Sequence, residues 1–131
     1  MLEKIVRRFD RAIPVAGSLV DGYRVLGGVD NLESIRSSLT DYVVLRGLRA
    51  FPTRGFRGKR SFYAADDWNR VEQLTRRIRT SMTNSPLIIV IERRGPYVLE
   101  GAHRMAAMVD LGASAVPALV VLDLEDWRGK Q

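Results

Sequence analysis

The chain has 131 residues with an ordinary apolar share, enough for one domain with a real core. It holds no cysteine and a single histidine, which excludes disulfides, thiolate metal sites and cysteine nucleophiles and argues against a histidine-built zinc site. The net charge of +6 is carried mostly by arginine, whose rigid fork matches phosphate oxygens; a phosphate-bearing partner and plain solubility account for that excess equally well.

Residues 1–12 read as a short amphipathic helix with Leu2, Ile5, Val6 and Phe9 on one side, ended by Pro14 and Gly17. This segment lacks the apolar core of a signal peptide, and no apolar run approaches the ~20 residues that span a bilayer, so a cytoplasmic location is expected. Residues 13–29 are rich in glycine and small side chains, Gly22, Gly27 and Gly28 among them, and predict a loop or short irregular strands. Asp30 or Asn31 is placed to cap a short helix over 32–39. Residues 1–41 thus read as a helical and irregular extension, and 42–131 as the domain proper.

Residues 42–52 are apolar and β-branched and stop at Pro52, which predicts a strand; a glycine-punctuated basic loop follows over 53–61. From Asp66 to Met82 the spacing predicts the best-defined helix, with Trp68, Val71, Leu74 and Ile78 assigned to the core. Asp66 and Asp67 begin it and Arg76, Arg77 and Arg79 lie near its end, as the helix dipole favours. Thr83-Asn-Ser-Pro86 breaks it. Leu87-Ile-Ile-Val-Ile91 reads as a strand buried on both faces, joined through a turn over 93–96 to a second strand over 97–99. A helix over 102–111 ends at Gly112, an apolar strand covers 116–124, and the remainder reads as a tail. This order implies an α+β fold: a small mixed sheet with helices packed on it.

Tyr97-Val-Leu-Glu-Gly-Ala-His-Arg-Met-Ala-Ala107 is the pattern of a strand that turns sharply into a helix. Such a junction aims backbone N–H groups and the positive end of a helix dipole at one spot, which suits a phosphate. His103 and Arg104 add two side-chain donors in the first turn, although Arg104 is also within sequence reach of Glu100 and Asp110. Glu100 is either a solvated carboxylate or a group that orients water, accepts a proton or helps hold a hard cation. In the basic loop, Phe56 and Phe62 interleave with Arg54, Arg57, Lys59 and Arg60. That mixture suits a nucleic-acid backbone with stacked bases, a flap over a nucleotide, or an ordinary solvated loop.

Residues 86–121 resemble the ParB/sulfiredoxin superfamily. The resemblance rests on Pro86-Leu-Ile-Ile-Val90, the 97–107 turn and Leu111-Gly-Ala-Ser-Ala-Val-Pro-Ala-Leu-Val120, with Leu48-Arg-Ala-Phe-Pro52 upstream, and extends over roughly 42–124. It implies a pocket in which the Gly-x-His/Arg-Arg turn holds nucleoside triphosphate phosphates, ATP or CTP, usually with magnesium. Carried over, Gly101 lets the backbone approach, Ala102 belongs to the same nucleotide-binding turn, His103 and Arg104 contact the phosphates, and Arg70 stands where the family often presents a basic residue to them, an exposed helix arginine being the alternative. Ala102 stands where sulfiredoxins carry their catalytic cysteine, so sulfinic-acid reduction is excluded. ParB proteins bind CTP there; free-serine kinases, ATPases and nucleases of the same group use the same cradle. The function so implied is nucleotide binding with hydrolysis or phosphoryl transfer, Glu100 and His103 being the candidate catalytic groups. The alternatives are a DNA- or RNA-binding effector or regulator acting through Arg54, Arg57, Lys59 and Arg60, with or without nuclease activity, and a non-catalytic partner-binding module. No residue set is assigned to a metal.

Overall fold

Two apolar strands, β6 (Leu87–Glu92) and β8 (Ala115–Asp123), lie side by side in parallel at the middle of the main sheet, with Leu87 opposite Ala118 and Ile91 opposite Leu122. The computed structural model describes residues 16–29 and 32–129; the expected helix over 1–12 and the capping role of Asp30 or Asn31 lie outside them. The other elements are β1 (Leu19–Val20), β2 (Tyr23–Val25), α1 (Glu33–Ser38), β3 (Tyr42–Val44), β4 (Arg49–Pro52), a 3-10 turn (Lys59–Ser61), α2 (Ala65–Ser81), β5 (Thr83–Asn84), β7 (Gly95–Glu100), α3 (Ala102–Asp110) and α4 (Leu124–Trp127). The described residues form an α+β fold with two small mixed sheets. None of their helices is long and apolar enough to cross a membrane.

Alternation along β6 explains why every one of its apolar residues is buried. Leu87, Ile89 and Ile91 join Val116, Ala118, Val120 and Leu122 of β8 against Val71 and Ile78 of α2 and Met105–Met108 of α3. Ile88, Val90 and Val121 face the other way, onto Ile35 of α1. Strands covered on both faces read as continuous apolar runs, as these do.

The far edge of β8 takes two partners in succession, β3 against residues 121–123 and β4 against 115–118, both antiparallel. The single strand expected over 42–52 is therefore interrupted. Gly47 adopts φ 76°, a left-handed conformation that breaks the ladder. β7 closes the opposite edge, antiparallel to β6, with a bulge at Ile88/Ile89. The second sheet is built from the glycine-rich segment: β1 pairs antiparallel with β2, which runs parallel to β5. Val20 and Val25 then pack with Leu48 and Leu119, so residues from 16–41 cover part of the main sheet.

Three further departures have local causes. Trp68 is 40% exposed rather than core. Its indole N–H donates to the Phe62 carbonyl and Lys59 Nζ lies 5.8 Å from its ring centroid, so it fastens the basic loop to α2 instead of entering the sheet interface. Thr83 and Asn84 do end the helix but form β5, reached through Met82 in a left-handed C-cap at φ 53°. The expected tail forms α4, where Trp127 Nε1 donates to the Ile91 carbonyl at 3.0 Å and Asp126 accepts from the Arg93 amide at 2.8 Å.

Thr53, at the end of β4, is buried, and its hydroxyl donates to the Ala113 carbonyl at 2.6 Å. Thr53→Val keeps the shape and strands that carbonyl. A stability loss of about 1–2 kcal/mol is expected in urea unfolding; an unchanged midpoint would show that the bond contributes nothing.

Candidate functional site

The strand-to-helix turn is glycine for two separate reasons. Gly101 sits at φ 101° and ψ 25°, and a Cβ there would lie 2.8 Å from Leu87 Cγ and 3.0 Å from Arg104 Nη2. Among the described residues no side chain caps α3 at this end. The first-turn amides of such a helix have no partner within the helix itself.

His103 and Arg104 are each anchored. His103 Nε2 lies 2.7 Å from Asp67 Oδ1, and its ring stacks on Phe62 at 5.0 Å with an interplanar angle of 6°. Arg104 Nη2 donates to the Pro86 carbonyl at 3.0 Å, while its Nε is buried with no partner among the described residues. Burial pushes the Arg104 pKa down and the Glu100 carboxylate partly offsets that; the guanidinium remains a cation throughout the working pH range.

Between α2 and the start of α3 lies a cleft of about 350 Å³, lined by Arg70, Gln73, Leu74 and Arg77 on one side and Gly101, Ala102, His103 and Arg104 on the other. No carboxylate is among its lining residues. Gly101, Ala102, His103, Arg104 and Arg70 are thus brought together. Arg77 is the addition that the sequence reading missed. It follows Arg70 by seven residues, which returns a helix to the same face, so the signal was present in the spacing.

Glu100 does not line the cleft, although its charge acts on Arg104. The bulge sets it opposite Ile88, whose side chain faces α1, and its Oε2 is 3.5 Å from Ser34 Oγ. An unbroken register, continued from Val98 opposite Ile89, would have put it on the α2 and α3 side.

The loop cations disperse over three surfaces. Lys59 and Arg60 line a wider groove of about 610 Å³ with Arg76, Arg79, Glu72 and Asp110. Arg54 lines a separate cleft beside Trp127, and exposed Arg57 lines neither. In the wide groove Lys59 pulls the Glu72 pKa below the usual glutamate range through a hydrogen bond and its charge. The pairing therefore favours the folded state above that range and is lost as pH falls through the lowered value. Glu72→Gln is expected to remove this small acid dependence, read as the urea midpoint against pH.

Among the described residues no group of three histidine, aspartate or glutamate side chains could hold a metal ion. No family model matches the chain, and no curated protein matches it in sequence.

Proposed function

We propose that the cleft between α2 and α3 binds the phosphates of a nucleoside triphosphate, ATP or CTP. One observation carries this reading: Arg70, Arg77, His103 and Arg104 converge with an uncapped helix start on a cleft lined by no acid. Backbone amides, a helix dipole and guanidinium forks are the standard means of holding phosphate oxygens. A volume of about 350 Å³ lies in the range of small-ligand sites. A ParB/sulfiredoxin-type cradle is consistent with this arrangement.

For hydrolysis or phosphoryl transfer the group at hand is His103. Asp67 engages Nε2 and orients the ring, leaving Nδ1 to take a proton from water or an acceptor hydroxyl. Glu100 has no part in this reading, because it faces α1. Magnesium, where used, would come with the nucleotide.

The test is a thermal-shift and calorimetric screen of the wild-type chain against ATP, CTP, GTP and their diphosphates, with and without magnesium. A triphosphate that binds the native state raises its melting point by mass action. Arg70 and Arg77 are both exposed on α2, so Arg70→Glu with Arg77→Glu is expected to cut affinity on the order of 100-fold with an unchanged circular dichroism spectrum. Equal affinity in wild type and double variant would sink the proposal. Arg104→Ala is expected to weaken binding as well, but it also removes the bond to Pro86.

A second reading, binding of DNA or RNA, draws support from the wide groove, where Lys59, Arg60, Arg76 and Arg79 outnumber two carboxylates. Its signature is affinity for a short oligonucleotide that falls steeply with salt. A flat salt response would remove it.

A further inference from the structure

Next to the phosphate cleft lies a smaller one of about 190 Å³, and the two share Leu74, Arg77 and Arg104 as a common wall. Asn84 lines the smaller cleft. The residue is 2% exposed, and neither its side-chain amide oxygen nor its amide nitrogen has a hydrogen-bond partner among the described residues. Its backbone carbonyl, by contrast, is fixed, accepting from the Leu26 amide at 3.0 Å. The Nε of Arg104, in the same wall, is a second buried donor without a partner among the described residues.

An asparagine is an uneconomical choice for this position. It is disfavoured in strands, and its neighbours in the cleft include Leu74 and Ile78, beside which an apolar side chain would pack with nothing unpaired. Where a local rule is broken without a compensating bond, a functional constraint is the usual cause. A carboxamide presents a donor and an acceptor side by side in one plane. Its complement is a flat group with an acceptor and a donor at the same spacing, which is the edge of a nucleobase. The apolar walls at Leu74, Ile78 and the exposed Leu26 suit the faces of such a ring.

We propose that the smaller cleft is the base subsite for the nucleotide whose phosphates occupy the larger one, with Asn84 reading the base edge. This rests on the phosphate reading above and adds specificity to it. Arg104, in the wall of both clefts, joins the two halves of the site.

The experiment is titration calorimetry of the full chain with ATP, GTP, CTP, UTP and inorganic triphosphate, repeated for Asn84→Leu and Asn84→Asp. The wild type is expected to bind one nucleotide on the order of tenfold more tightly than the others and than inorganic triphosphate. In Asn84→Leu all nucleotides should fall to the level of inorganic triphosphate, which has no base and should bind wild type and variant alike. Asn84→Asp keeps the shape but loses the donor, and should lose the same preference. A wild type that binds every nucleotide and inorganic triphosphate equally overturns the base subsite and leaves the phosphate site standing. A preference that survives in Asn84→Leu also overturns the assignment to Asn84. A wild type that binds neither nucleotides nor inorganic triphosphate overturns the phosphate reading and the base subsite with it.

Discussion

Gly101→Val is expected to destabilise the protein by about 3–5 kcal/mol, which lowers the melting temperature by about 10 °C or more. Two costs add. The backbone at φ 101° lies where L side chains are strained, and a branched residue suffers most. The new Cβ would also meet Leu87 Cγ at 2.8 Å, and Leu87 is fully buried at the head of β6 with little room to retreat. Gly95→Ala is the control, since Gly95 sits at φ 124° with open space where its Cβ would be. Only the backbone cost applies there, about 1–2 kcal/mol. Thermal unfolding of the two variants and of Gly101→Ala separates strain from collision. If Gly101→Ala is no worse than Gly95→Ala, the close approach of β6 to the turn is not a constraint on the fold.

Ile88→Ala and Ile89→Ala are each expected to cost about 2–5 kcal/mol in urea unfolding. Both side chains are buried, 1% and 0% exposed, yet they point into different cores. Ile89 supports the layer made by α2 and α3, whereas Ile88 supports the layer made by α1. Comparable losses would mean that the segment before residue 42 packs on the sheet as firmly as the larger helices do. A near-neutral Ile88→Ala beside a costly Ile89→Ala would show that the α1 layer contributes little.

The parts of this fold that were legible in the sequence are those whose pattern is long enough to repeat. β6 and β8 are unbroken apolar runs, α2 carries apolar residues at helical spacing, and a glycine marks the junction of β7 and α3. What could not be read is set by distant partners. β1, β2 and β5 have two or three residues each, too few for alternation to show, and they exist because of one another. Trp68 fits the helical stripe, but a bond to the Phe62 carbonyl draws it outward. The site divides in the same way. Arg70 and residues 101–104 gather from helix geometry and one turn. Glu100 faces away because of a bulge, a one-residue shift in pairing that no property of Glu100 itself announces. Asn84 drew no attention as part of a helix-breaking stretch, and only its burial without partners marks it.

The position of β8 also bears on how the chain reaches this structure as it is made. β8 is the strand on which β3, β4 and β6 all depend, yet it is the last strand of the sheet in chain order. Tyr42 must wait for Asp123, and Arg24 of the smaller sheet for Thr83, before either can pair. On the ribosome the first three strands of the main sheet therefore emerge without their common neighbour, and the apolar run of β6 is exposed until Ala115–Asp123 arrives. Closure over such separations makes for slow folding, and for an interval during synthesis in which a chaperone has a clear apolar target.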